Sequence, residues 1–161
     1  MITADQLIEA FNENVEIIKM QVDGLTHADS LLQLPFRGNC LNWVLGHILA
    51  SRNGVLEALG EKPVLSKAQA ARYDYGSEPV TGDGADVLPL EKELALLEQA
   101  QERIAAGLRR ATPEALAREI HFAGSTMTVG KKVFFLYFHE TYHTGQTEYL
   151  RQLAGKNDQV I

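Results

Sequence analysis

The chain has 161 residues, 45% apolar and 22% charged, which suits one globular domain over residues 1–161 with a buried core. Its net charge of −6 speaks against nucleic acid and against an anionic membrane surface as partners. One cysteine, Cys40, rules out an internal disulfide and a multi-cysteine zinc cluster. The N-terminal stretch has no basic leader or long apolar run, and no segment has the ~18 apolar residues of a membrane span. A cytoplasmic location is therefore expected.

The first helix is predicted from about Asp5 to Val22. There Leu7, Ile8, Phe11, Val15, Ile18 and Val22 recur at helical spacing, with Thr3 and Gln6 as a capping box and Gly24 as the stop. The second runs from about Leu41 to Leu59, carries Val44, Ile48 and Val55 on one stripe, and can be capped by Asn39 or Asn42. Residues 60–89 hold Gly60, Pro63, Gly76, Pro79, Gly82, Gly84 and Pro89 and read as a long loop with a short helix at Ser66–Arg72. A loop of this length is often a lid or a binding loop.

The third helix, about Leu90 to Arg110, places Leu90, Leu94, Leu97, Ile104 and Leu108 on one face. Its acidic residues between Glu91 and Glu98 read as a solvated face. Thr112-Pro113-Glu114 opens a helical turn. Glu119–Phe122 and Thr126–Val129, around Ala123-Gly124-Ser125, read as a small hairpin. The last helix runs from about Val129 to Ala154. Four long amphipathic segments without a sustained strand pattern predict an all-α four-helix bundle, with its long loop between the second and third helices.

The chemistry concentrates on three histidines. His139 and His143 are four residues apart, about one turn, and Leu136, Leu150 and Leu153 fall near the same stripe. His47 lies about 60° from Val44 and about 100° from Ile48 around its helix, at the edge of the inward stripe. Neutral imidazoles suit Zn, Ni, Cu and Fe, and three ligands leave an open position, as in catalytic sites. The alternative is three unrelated core histidines hydrogen-bonded to backbone. His139-Glu140-Thr141-Tyr142-His143 also matches the H-E-x-x-H helix of zinc peptidases. However, only 18 residues follow His143, too few to bring in the usual distant third ligand.

The segment Asn42-Trp43-Val44-Leu45-Gly46-His47, together with His139-x-x-x-His143-x-Gly145-Gln146, resembles the two signatures of the DinB-like superfamily. The spacing of the two halves fits nearly the whole chain. The resemblance implies an up-down-down-up bundle, often a homodimer, with a divalent ion, commonly zinc or nickel, on His47, His139 and His143. It also implies, among better-understood relatives, S-transferases and isomerases that use low-molecular-weight thiols such as bacillithiol and mycothiol.

Weaker candidates surround this set. Glu140 and Gln146 are candidate catalytic residues near the histidine stripe; their structural alternatives are a solvated or interfacial carboxylate and an interhelical hydrogen bond. Arg72 and Tyr73, with Tyr75, are candidate contacts for an anionic substrate; the alternative is a solvated loop. Trp43 is expected in the core or at a dimer interface, and Tyr142 and Tyr149 are expected to pack. Cys40 is expected to be a structural thiol, and His27 and His121 surface residues. The expected function is a metal-dependent enzyme on a small molecule, a thiol S-transferase before a hydrolase. Its alternative is a non-enzymatic bundle with a structural or vestigial metal site.

Overall fold

The computed structural model describes residues 3–161; Met1 and Ile2, the start of the stretch read as lacking a leader, lie outside it. Its elements are α1 (Ala4–Val22), α2 (His27–Ser30), α3 (Leu41–Ala58), α4 (Lys67–Arg72), α5 (Leu90–Arg110), α6 (Pro113–Ala117), β1 (Glu119–Phe122), β2 (Ser125–Thr128) and α7 (Val129–Leu153). The long helices α1, α3, α5 and α7 form an all-α bundle. Both α1 and α3 pack against both α5 and α7. No helix is long and apolar enough to cross a membrane among the described residues.

Two apolar clusters give the helix directions. One joins Leu7 and Phe11 of α1 to Val55 and Leu56 of α3, Ile104 and Leu108 of α5, and Val129 and Val133 of α7. The other joins Val15, Ile18 and Val22 to Leu41–Leu45, Leu90–Leu97 and Leu150. Starting from the first cluster, α1 runs up, α3 down, α5 down and α7 up. Two consecutive down helices explain the long loop. The 18 residues of α3 rise about 27 Å, and the chain must travel that distance back before α5 can begin. About nine extended residues would suffice; the remaining length folds against the bundle as α4 and its flanks.

Local signals placed most boundaries. Thr3 and Gln6 form the capping box of α1, and Thr112 caps α6 with Pro113 in its first turn. The hairpin pairs Glu119 with Thr128 and Phe122 with Ser125, one residue earlier in its second strand than the pattern suggested. The short α2, closed by a capping box between Thr26 and Asp29, has too few residues to show a period.

Some expectations are corrected. Neither Asn39 nor Asn42 caps α3. Cys40 occupies that position without a side-chain cap bond, because the Asn42 amide turns inward to the Leu88 carbonyl and to Glu93. Glu93 is not on a solvated face but 1% exposed. His27 is only half-buried; its ring accepts a bond from the Leu90 amide and meets Asp83. His121 is exposed on the hairpin. Cys40 is buried and donates to the Val80 carbonyl, a structural thiol as expected.

Candidate metal centre

Helices α3 and α7 are antiparallel neighbours, so the early part of α3 faces the middle of α7. This brings His47, His139 and His143 together. The Nε2 atoms of His47 and His143 lie 3.3 and 3.2 Å from Nε2 of His139. One ligand atom from each of the three falls within 4.8 Å of the other two.

The outer nitrogens set the tautomers. His47 Nδ1 lies 2.7 Å from the Tyr73 carbonyl, which can only accept, so Nδ1 carries the hydrogen. His143 Nδ1 donates to Oε1 of Gln146 at 2.7 Å. The Ser51 hydroxyl is 3.4 Å from His139 Nδ1. Both His47 and His143 therefore present bare Nε2 lone pairs to His139, which can supply at most one hydrogen between them. A second proton is disfavoured. Burial, with added repulsion from His143 and His47, lowers the His139 pKa to about 4, and burial also lowers that of His143. Three converging neutral imidazoles with outer nitrogens fixed by hydrogen bonds fit a divalent cation, which can accept all three lone pairs.

The surroundings continue this arrangement. The Trp43 ring stacks on His47, with centroids 4.8 Å apart and planes at 11°, and its Nε1 donates to Ser77 of the long loop. Tyr142 stands edge-on to His143 at 5.3 Å. The histidines open into a cleft of about 690 Å³ walled by Arg37, Asn39, Trp43, Tyr75, Ser77, Tyr142 and Gln146. A second cavity of about 310 Å³ adjoins it and is lined by Leu34, Phe36, Val44, Tyr149 and Leu150.

The long loop holds the site from behind. Tyr73 is 0% exposed. Its hydroxyl donates to Asn42 and accepts from the Leu88 amide, while its carbonyl orients His47. Gly46 makes room for it: a Cβ at that position would sit 2.2 Å from the Tyr73 ring. Burial raises the Tyr73 phenol to about 12, so it stays protonated. Arg72 pairs with Asp86 and donates to the carbonyls of Glu78 and Pro79. Neither side chain lines the cleft; of the loop aromatics it is Tyr75, 92% exposed, that does.

Glu140 also faces away from the cleft. Its carboxylate receives Arg52 Nε at 2.8 Å, Arg52 Nη2 at 2.7 Å and Asn14 Nδ2 at 3.2 Å. The remaining Arg52 donors reach Gln101 and the carbonyls of Leu97 and Phe11. This network ties all four long helices together. A carboxylate so enclosed has no access to a ligand on the histidines, unlike the base of an H-E-x-x-H peptidase. Gln146 does reach the site, through His143. Tyr142 and Tyr149 do not pack inside; they are 64% and 69% exposed because they lie on the outward face of α7.

Sequence reasoning missed Arg52, Arg37 and Asn39 and gave Trp43 no role at the site. Trp43 had a usable signal, since it precedes His47 by four residues and so stands one turn away on the same face. Arg52 had a weaker one, falling four residues after Ile48 on the inward stripe. Arg37 and Asn39 lie in a loop without periodicity.

The family model of the DinB superfamily matches residues 5–147. Among solved structures, a conserved protein from Enterococcus faecalis is similar, with a TM-score of 0.72 at 17% identity over 96% of this chain and 98% of that one. No match was found among curated proteins. The family model covers most of the chain and the solved structure shares its fold, and the chain belongs to the DinB superfamily.

Proposed function

We propose that the protein is a metal-dependent enzyme acting on a small molecule, with zinc or nickel on His47, His139 and His143, and that its reaction is S-transfer from a low-molecular-weight thiol. The observation that carries this reading is the convergence of three neutral Nε2 atoms at the base of a cleft about 690 Å³ in volume. A bound divalent ion would supply the positive charge that holds a small thiol as thiolate or, in a hydrolase, lowers the pKa of water. The chain's own residues do the rest. The Tyr73 carbonyl and Gln146 keep the hydrogens of His47 and His143 on the outer nitrogens. Trp43 and Tyr142 wall the cleft.

The test is metal content followed by activity. Protein made in metal-replete medium is expected to carry about one ion per chain and to lose it in His139→Ala. It should join a small thiol to an electrophilic carbon, with activity abolished by chelation. Protein without bound metal, whose His47→Ala variant is as stable as the parent, would overturn the metal reading. Stoichiometric metal that raises the melting temperature without any thiol or ligand turnover would favour a structural site.

The protein is further proposed to act as a homodimer. In support, α7 exposes Phe135, Phe138, Tyr142 and Tyr149 at helical spacing, with open space around Gly145. Sedimentation should show a dimer that Phe138→Lys splits; a monomeric parent would contradict this.

A further inference from the structure

We infer that the cleft takes a small molecule bearing a carboxylate, which Arg37 holds, with an apolar part lying along Leu34, Phe36 and Leu150. This rests on reading the histidine cleft as a small-molecule site, and it names the class of that molecule.

Three observations converge. First, Arg37 lies on the wall shared by the two adjoining cavities. Among the described residues its guanidinium has no carboxylate partner and no side-chain hydrogen bond, whereas Arg52, Arg72, Arg110 and Arg151 each pair with an acid; Arg109 and Arg118 are unpaired too but line neither cavity. Second, the chain carries 21 acidic residues, yet neither cavity is lined by Asp or Glu. The cationic character of Arg37 is therefore not cancelled locally, and a cleft of one sign draws in ligands of the other. Third, the smaller cavity is walled by aliphatic and aromatic side chains next to Arg37, so the charge and an apolar recess stand side by side.

Arg37 is the one cationic side chain on the lining, and its guanidinium matches a single carboxylate through two parallel hydrogen bonds. Asn39 and Gln146 add neutral amide groups. Gly38 lets this loop fold tightly on itself, since a Cβ there would fall 2.4 Å from the Leu34 side chain.

The chain's single tryptophan, Trp43, lines both cavities and reports occupancy by its fluorescence. Zinc-loaded protein would be titrated with 3-phenylpropanoate and with its neutral isostere 3-phenylpropanamide. The carboxylate is expected to bind at least about tenfold tighter, a difference of about 1.4 kcal/mol. Arg37→Ala should abolish most of that preference and Arg37→Lys should retain part of it. Equal binding of the two probes, no binding of either, or a preference that survives in Arg37→Ala would overturn the inference. The last result would mean that the ion, not Arg37, holds the carboxylate. Zinc content measured on the same samples separates the two levels. If no zinc is held, the metal reading fails, while the same titration of the zinc-free protein still decides the role of Arg37.

Discussion

Arg52 of α3 and Glu140 of α7 face each other through two hydrogen bonds of 2.8 and 2.7 Å, with side chains 0% and 1% exposed. Glu140 directly follows His139 in the chain, so this pair also sets how α7 is rotated and which face carries its histidines. Removing one partner leaves the other charged and buried. Glu140→Ala is expected to cost about 3–5 kcal/mol in urea unfolding. Glu140→Gln keeps the shape and should cost less. A loss near zero for Glu140→Ala would mean that the pair does not hold the bundle together.

Gly46 should behave against its helix propensity. In an exposed helix, Gly→Ala stabilises by roughly 1 kcal/mol. Here the new methyl would meet the Tyr73 ring at 2.2 Å. Gly46→Ala is expected to destabilise by about 1–3 kcal/mol. It should also expose the 60–89 loop to limited proteolysis, because Tyr73 anchors that loop. A stabilised, protease-resistant variant would refute the packing argument.

Glu93 gives a pH dependence. Its Oε2 accepts from Asn42, its Oε1 has no partner, and burial raises its pKa well above the usual 4.5. Because the folded-state pKa lies above the unfolded one, the protonated group's contribution is complete below about 4.5 and is lost as pH rises through the folded value. Glu93→Gln is neutral throughout. Its melting temperature should therefore gain on the parent as pH is raised from 5 to 8. A difference independent of pH would show that Glu93 does not titrate in this range.

Gln146 tests the outer hydrogen bonds of the histidines. Gln146→Leu removes the acceptor of His143 Nδ1 while the side chain remains half-buried on α7. Zinc affinity, measured by competition with a chromophoric chelator, should fall about 10–100-fold. The melting temperature of the metal-free protein should hardly move. Unchanged affinity would remove Gln146 from the site.

Helical period and end signals were enough to place the four long helices, the short helix at residues 67–72 and the hairpin. These depend on residues within a turn of one another. The i,i+4 spacing of His139 and His143 was equally local, as was the position of His47 at the edge of an inward stripe. What the sequence by itself determined is therefore the four amphipathic helices and three ligand-type side chains on facing stripes. Tertiary structure alone decided the rest. A step of 100° per residue separates Glu140 from His139, so one looks into the core and the other into the cleft, and only Arg52 and Asn14 on other helices show which does which. The fate of Tyr73 was likewise undecidable from its loop, because its partners Asn42, Gly46 and His47 lie 26 to 31 positions away and meet it only after the chain has doubled back along α3. Arg37 became visible as a cleft residue for the same reason: its wall is built from three separate stretches of chain that only the folded bundle brings into contact.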